Sequence, residues 1–291
     1  MPGIYSGGFD DLGNSARVAS MGGSALTLTD APYVLFYNPA NIYRLSKPVV
    51  STTYAKLYPN VEDDNLNFLS LSGIIPLDFI GVLGVGGNFL NTEAWKEYML
   101  VGTYSRELID NLSVGGSFKF IGWSAAAAPG EGALSYIGFS VDAGVFYSFE
   151  KLFATNNLNL GLSVQNINQP SIASEGTDGT LPMRIGLGVG IVSTQYNYQV
   201  TLDIYREEDI YQVKGGAEFL GMQSNIMGYD TRFLIRGGYN NIVQSDFAEE
   251  SGLNGGFGLV VDNVTIDYAY VYPLAITNTG GNNKISLTYN F

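Results

Sequence analysis

The chain of 291 residues contains no cysteine and no histidine, and only 14% of its residues are charged. The absence of these two side chains excludes a Ser-His-Asp or Cys-His nucleophile, a Cys/His zinc site, a thiolate cluster and a disulfide framework. Lys and Arg number 14 against 27 Asp and Glu, which argues against a nucleic-acid partner because phosphate binding needs clustered cations. We therefore expect a non-enzymatic protein without a metal or cofactor.

Long hydrophobic runs are also absent. No stretch of about 20 apolar residues could form a membrane-spanning helix. The most apolar window, residues 72–90, is interrupted by Pro76 and Asp78. Met1-Pro2-Gly3 leads directly into small and acidic residues, so the sequence as given shows no signal peptide.

Glycine and aromatic residues are abundant instead, with 37 Gly, 20 Tyr and 16 Phe. From about residue 47 onward, stretches of roughly ten residues alternate between apolar and polar side chains. Residues 264–272, for example, place Val, Ile and three Tyr side chains on one face and Thr, Asp, Ala and Val on the other. This period of two predicts strands with one apolar and one polar face.

The alternation predicts fourteen strands. They lie near residues 47–58, 64–75, 79–91, 96–106, 111–124, 136–149, 157–168, 182–194, 196–206, 210–220, 230–240, 253–262, 263–272 and 282–291. An even number of strands of about 9–11 residues is typical of bacterial outer-membrane barrels. A soluble all-β sandwich or propeller is the alternative, but its water-facing side would carry more charge than the Gly, Ser, Thr and Asn found here. The predicted fold is all-β, a 14-stranded antiparallel transmembrane β-barrel over residues 47–291.

The connections between these strands support this fold. If both termini are periplasmic, the odd-numbered connections are external, and they include the longest ones, residues 124–135, 169–181 and 241–252. Even-numbered connections are short, except residues 220–229. The external side also collects acidic residues: Glu62, Asp63, Asp64, Glu207, Glu208, Asp209, Asp246, Glu249 and Glu250.

The last strand ends in an aromatic residue. Phe291 follows Ile285, Leu287 and Tyr289 at alternate positions, and this pattern resembles the C-terminal signal read by barrel-assembly machinery. The expected surroundings are thus outer-membrane lipids, with the assembly machinery as a partner during folding.

Residues 1–46 break the alternation. They include small residues, a short helix-compatible run and Pro39, which disfavours a helical conformation at Asn38. The segment is too polar to face lipid and precedes the first strand. We therefore predict that it forms a plug inside the barrel lumen.

This segment carries a recognisable motif. Ser15-Ala16-Arg17, Met21-Gly22-Gly23, the acidic Asp30 and Asn38-Pro39-Ala40 follow one another without large gaps. The order resembles the N-terminal signature of the PorV/PorQ family, within the FadL-like outer-membrane superfamily of fourteen-stranded barrels with an N-terminal plug. Residues 160–167, leading to Leu181-Pro182, are similar to a mid-barrel stretch of the same family.

The resemblance implies one function and permits others. Proteins similar to PorV and PorQ act with type IX secretion, which implies an adaptor that partners with secreted or surface-exposed envelope proteins. The superfamily also includes FadL-type passive transporters, so transport of a hydrophobic ligand past the plug is the alternative. A structural anchor acting through the acidic external loops is a third hypothesis.

The alternation also assigns charges to the lumen. The inward cations are Lys119, Arg184, Lys214, Arg232, Arg236 and Lys284, and the inward acids are Asp142, Asp203, Glu218 and Asp267. Burial of isolated charges is costly, so these groups should pair with one another and with Arg17, Asp10, Asp11 and Asp30 of the plug. The functional alternative is a basic strip that guides an acidic solute or a fatty-acid carboxylate, for which the candidates are Arg184, Arg232, Arg236 and Lys284.

Aromatic side chains near the strand ends should contribute to girdles at the lipid headgroups. The candidates are Tyr54, Tyr98, Tyr147, Tyr198, Tyr268 and Tyr270, with Trp95 and Trp123 in the same role. Stacking of a carbohydrate or hydrophobic ligand at the mouth is the alternative for the two Trp residues. Glycine pairs such as Gly215-Gly216 and Gly237-Gly238 recur within strands and should permit bends or a close approach of the plug.

Overall fold

The computed structural model describes residues 9, 12–60, 66–127, 133–153, 155–173, 179–193, 195–243, 251–274 and 277–291. Fourteen antiparallel strands form one closed barrel, which confirms the predicted fold class. In chain order, β1 to β14 are Val49–Lys56, Asn67–Leu77, Gly81–Asn91, Trp95–Ile109, Leu112–Ala125, Leu134–Phe153, Asn156–Gln165, Arg184–Ser193, Tyr198–Glu207, Ile210–Ile226, Tyr229–Ile242, Gly252–Val261, Val264–Pro273 and Asn282–Asn290.

Every strand pairs with its neighbours in sequence, and the last strand pairs with the first. Val49 of β1 lies opposite Asn290 of β14, and the register continues to Lys56 and Asn283. This closure satisfies the backbone N–H and C=O groups that an open sheet would leave at its edges, which is the condition for a sheet to cross a bilayer.

The alternation read from the sequence sets the two faces of the wall. In β9, Gln199, Thr201 and Asp203 are buried on the lumen side, whereas the intervening apolar side chains are 41–49% exposed on the outside. Those outward side chains are Val200, Leu202 and Ile204. The same apolar outer surface continues around the barrel, as expected for contact with lipid.

The connections lie in two classes, which define a loop end and a hairpin end of the barrel. The loop end carries the odd-numbered connections, and the hairpin end carries the even-numbered ones together with Phe291. The expectation of a long even-numbered connection at residues 220–229 is wrong. β10 continues to Ile226 and β11 begins at Tyr229, with Met227 and Gly228 in a turn at positive φ. A register shift between Leu220 and Met222 interrupts the alternation and hides this part of the strand in the sequence.

Residues 12–48, the luminal segment, run inside the barrel before β1. They form a short α-helix, α1, at Ala16–Ser20 and two 3₁₀ helices at Pro32–Phe36 and Pro39–Arg44. Their apolar side chains pack with inward residues of the wall, among them Val82, Val101 and Tyr205, in the main buried cluster.

The luminal segment begins near the loop end. The backbone N–H of Phe9 donates to Glu97 Oε2 at 2.9 Å, and Glu97 lies two residues after the start of β4. Phe291 lies at the opposite end. The chain therefore crosses the lumen between Phe9 and β1, and the expected side of the two termini stays a prediction.

Glycine in the wall allows the luminal segment to approach closely. A Cβ atom on Gly238 would lie 2.2 Å from the backbone nitrogen of Gly22, and one on Gly216 would lie 2.4 Å from the carbonyl oxygen of Met21. On the outer face of the same strand, a Cβ atom on Gly237 would meet nothing nearer than 4.0 Å. The inward member of each pair thus receives the segment's backbone.

We predict that Gly238→Ala destabilises the barrel and that Gly237→Ala does not. The inward methyl group collides with backbone atoms that cannot rotate away, and such overpacking costs about 1–3 kcal/mol. The temperature at which the barrel loses its folded migration on a denaturing gel measures the effect, and protease cleavage of the luminal segment reports its displacement. If both variants lost their folded migration at the same temperature and were cleaved equally, the close approach of the luminal segment at Gly238 would be contradicted.

Candidate ligand-binding cavity

The motif residues of the luminal segment attach it to the wall. The Ser15 hydroxyl caps α1 by accepting from the Val18 N–H, and the Ala16 N–H donates to Ser286 Oγ at 2.7 Å. Asn38 Nδ2 donates to the carbonyl of Val145, and the Ala40 carbonyl accepts from the hydroxyls of Ser105 and Ser113. Met21 is buried, Gly22 and Gly23 turn the chain at positive φ, and Pro39 opens the second 3₁₀ helix.

A buried ion-pair network adds a charged attachment. Arg17 donates to both carboxylate oxygens of Glu218 at 2.8 Å and to Asp30 at 2.7 Å. Glu218 also accepts from Arg236, whose guanidinium reaches Asp267 at 2.7 Å. Asp30 is 58% exposed. The four buried groups, Arg17, Arg236, Glu218 and Asp267, carry two positive and two negative charges and so have no net charge. The network links the luminal segment to β10, β11 and β13.

Arg17 keeps its charge in this setting. Burial opposes the charged guanidinium, but Asp30 and Glu218 favour it more strongly and raise the pKa of Arg17 well above its ordinary value. Arg17 therefore remains a cation at neutral pH.

Above the luminal segment, toward the loop end, the lumen contains a cavity of about 270 Å³. One part of its wall is apolar, and another carries amide and charged groups. The apolar lining comes from Leu35 and Phe36 of the luminal segment, Met99 and Val101 of β4, and Ile121 of β5. The amide lining consists of Asn14, Asn88, Gln165, Asn166, Gln212, Asn240, Asn241, Asn254 and Asn282.

Four inward cations line this cavity and contact protein groups, among them Lys214, whose Nζ lies 5.2 Å from the centre of the Tyr205 ring. Arg184 donates to Gln212 Oε1 at 2.8 Å and lies 4.1 Å above the Tyr205 ring. Lys284 donates to the backbone carbonyls of Leu12 and Gly13, and Lys119 pairs with Asp142 at 2.7 Å.

The structure does not assemble the predicted basic strip. Arg236 lies in the Arg17 network, whereas Arg232 lies at the hairpin end, is 45% exposed and is 3.8 Å from Asp230. The two arginines share a strand face, but Arg236 belongs to the buried part of the wall and Arg232 to its rim. Arg184 and Lys284 line the cavity at the loop end, so these four residues do not form one site.

The two tryptophans face the lumen, and their expected place in a lipid-facing girdle is wrong. Their rings stack 4.6 Å apart at the loop end. Trp95 Nε1 donates to Glu97 Oε1 at 2.6 Å, and Trp123 Nε1 donates to the carbonyl of Ile172 at 2.8 Å. Trp95 shares its strand face with the inward Glu97, and Trp123 shares its strand face with the inward Ile121. The alternation of side chains therefore predicts that both tryptophans face the lumen.

Several expected features have different outcomes. Ile285, Leu287, Tyr289 and Phe291 all face outward, and their role as an assembly signal stays a prediction. Asp10, Asp11, Glu62, Asp63, Asp64, Asp246, Glu249 and Glu250 lie outside the described residues. Within the described ranges, no three His, Cys, Asp or Glu side chains are grouped to hold a metal ion. Among the same residues, no helix has the length and apolar character needed to cross a membrane.

The sequence-based search for a lumen site considered charges and missed the uncharged lining. Met99, Ile121, Asn88 and Asn254 all occupy inward positions near the loop end. Counting amides and apolar residues at those positions would have identified them. Asp203 was placed inward but its role was not foreseen: it accepts from the N–H groups of Ala25 and Leu26 at 2.6 and 3.0 Å.

We predict that Arg17→Met destabilises the protein and that Glu218→Gln in the same chain restores part of the loss. Removing Arg17 leaves an excess buried negative charge, which costs about 3–5 kcal/mol, whereas the double variant keeps the balanced Arg236–Asp267 pair. Denaturant unfolding in detergent measures both, and Arg206→Met, on an exposed arginine, is the control. Additive losses in the double variant would contradict the coupling.

No family model matches the chain, and no curated sequence is significantly similar to it. The toluene transporter TbuX of Ralstonia pickettii superposes with a TM-score of 0.68 at 12% identity, covering 97% of this chain and all of that one.

Two further structures show the same likeness. The monoaromatic hydrocarbon channel CymD gives a TM-score of 0.61 at 12% identity over 97% of this chain and 99% of its own. A FadL homologue of Pseudomonas aeruginosa gives 0.57 at 12% identity over 96% and 98%. The first two of these neighbours are described as a transporter and a channel, and the third as a homologue of FadL. The chain thus has the fold of the FadL-type outer-membrane β-barrels.

Proposed function

We propose that this protein is a passive outer-membrane channel for small hydrophobic molecules, with the luminal segment as its plug. The observation that carries the proposal is the cavity of about 270 Å³ on the loop-end side of that segment, which has a partly apolar wall. The rest of the lumen, toward the hairpin end, is filled by the segment itself. The cavity volume lies just below the usual range of small-molecule sites, and its lining combines apolar side chains with polar groups that can orient a ligand.

The filled lumen supports selective passage over an open aqueous pore. Residues of the luminal segment such as Val18, Met21 and Leu26 are fully buried against the wall. A solute that enters from the loop end therefore meets the cavity first. The toluene transporter and the monoaromatic hydrocarbon channel with the same fold carry small apolar molecules by their descriptions, and we extend that class of solute to this chain.

The secretion function implied by the resemblance to PorV and PorQ stays a prediction. The motif that carries the resemblance has a structural role here, since Ser15, Ala16, Arg17, Asn38 and Ala40 all bond the luminal segment to itself or to the wall. The motif therefore does not favour an adaptor over a channel, and no family model supports the assignment.

We predict that Met99→Trp lowers the uptake of toluene, whereas Leu100→Trp leaves it unchanged. Met99 lines the cavity, and an indole there fills part of the space that a ligand needs. Leu100 is 47% exposed on the outer face of the same strand. A loss of about 1.4 kcal/mol in ligand binding corresponds to a tenfold effect.

The measurement is uptake of radiolabelled toluene by intact cells that lack their own hydrophobe channel and express each variant. Folded migration on a denaturing gel shows that both variants reach the membrane as barrels. Native uptake by Met99→Trp, or equal losses in both variants, would contradict passage through the cavity.

A further inference from the structure

The β4–β5 side of the cavity is mainly apolar, the β11–β12 side carries amides together with the apolar Ile242, and the strand order places these two sides opposite each other. Met99 of β4 and Ile121 of β5 belong to the apolar side, while Asn240 of β11 and Asn254 of β12 belong to the amide side. In a ring of fourteen strands, β5 and β12 lie seven positions apart, which is the full width of the lumen. A molecule held between them presents an apolar part to one side and a polar part to the other.

Some of the amides have unused hydrogen-bonding capacity. Within the described residues, Oδ1 of Asn14, Asn88 and Asn254 is buried without a hydrogen-bond donor, and all three residues line the cavity. In Asn254, Nδ2 donates to Asn240 Oδ1 at 3.1 Å, so the orphaned atom is the acceptor. A buried acceptor without a donor costs about 1–3 kcal/mol.

These oxygens can reach a ligand donor through a small motion. The terminal torsion of an asparagine is broad and two-fold, so the amide turns at low cost. A plain hydrocarbon cannot supply the missing donor and leaves each oxygen unsatisfied. A carboxylate cannot supply it either, and the cavity cations Arg184, Lys119, Lys284 and Lys214 all contact protein groups.

We infer that the preferred substrates are small hydrophobic molecules that carry a hydroxyl or another neutral hydrogen-bond donor, such as aromatic alcohols. The inference rests on the proposed channel function and names the substrate class of its cavity. The apolar side receives the hydrocarbon body, and the hydrogen bond is accepted either by Asn254 on the opposite side or by Asn88, which pairs with Met99 across β3 and β4. Recognition of one donor is the feature that separates these molecules from hydrocarbons of equal size.

Benzyl alcohol and ethylbenzene provide a matched pair of probes, because they differ in a hydroxyl against a methyl group. Uptake of both is measured in intact cells for the native chain and for Asn254→Leu, Asn88→Leu and Asn91→Leu. Asn91 is an exposed residue of the same strand as Asn88 and lies outside the cavity lining, so its variant is the control. Comparing the uptake ratio of the two probes between variants cancels their different solubility in membranes.

We expect the ratio of benzyl alcohol to ethylbenzene uptake to fall about fivefold or more in Asn254→Leu or Asn88→Leu, the effect of one lost hydrogen bond. Asn91→Leu should keep the native ratio. Fluorescence of Trp95 and Trp123, the two tryptophans of the chain, gives an independent binding measurement on purified protein, in which the same variants should lose affinity for the alcohol only.

Each other outcome overturns a defined part of the argument. Uptake of both probes with an unchanged ratio in every variant would show that the amide oxygens are satisfied by water, and would overturn the substrate class while leaving the channel intact. Uptake of neither probe above that of cells without the protein would overturn the channel and the substrate class together. A ratio that falls equally in Asn91→Leu would place the effect outside the cavity and also overturn the inference.

Discussion

The closure of the hydrogen-bonded sheet is the constraint on which the rest of this molecule depends. Pairing of β1 with β14 removes both edges, and a barrel without edges can present apolar side chains to lipid all around. Closure also creates an interior that must be filled or lined by polar groups. The luminal segment, the buried charges and the cavity are all consequences of that interior.

Filling the interior requires that the segment's own backbone and charges find partners in the wall. Glycine pairs in neighbouring strands admit the backbone at Met21 and Gly22, hydroxyl groups receive the helix start and the Ala40 carbonyl, and the Arg17 network balances the buried charges. The inward residues of the wall and the residues of the luminal segment are therefore complementary in shape, hydrogen bonding and charge. A polar segment of this kind is stable only inside the barrel, because lipid would offer it no partners.

The part of the lumen that the segment leaves open determines the chemistry available to a solute. The apolar side chains of β4 and β5 and the amides of β11 and β12 reach the same cavity from opposite sides. Such a division suits molecules with one apolar and one hydrogen-bonding part. The cations that looked like ligand-binding groups serve the protein's internal contacts instead, as Arg236 and Lys284 show.

The strand count, the two faces of each strand and the exceptional character of the first 46 residues can all be read from the amino-acid pattern, because side-chain alternation is a local property of an extended backbone. Sequence-based predictions fail where the alternation is interrupted or is not used. The bulge after Leu220 interrupts the alternation and conceals the end of β10, and Trp95 and Trp123 were assigned to the lipid face by residue type alone. Which inward residues meet depends on the closed barrel, since partners such as Arg17 and Glu218 are 201 residues apart in sequence. The cavity is likewise decided by how the luminal segment fills a closed ring of strands, which depends on the position of every strand at once.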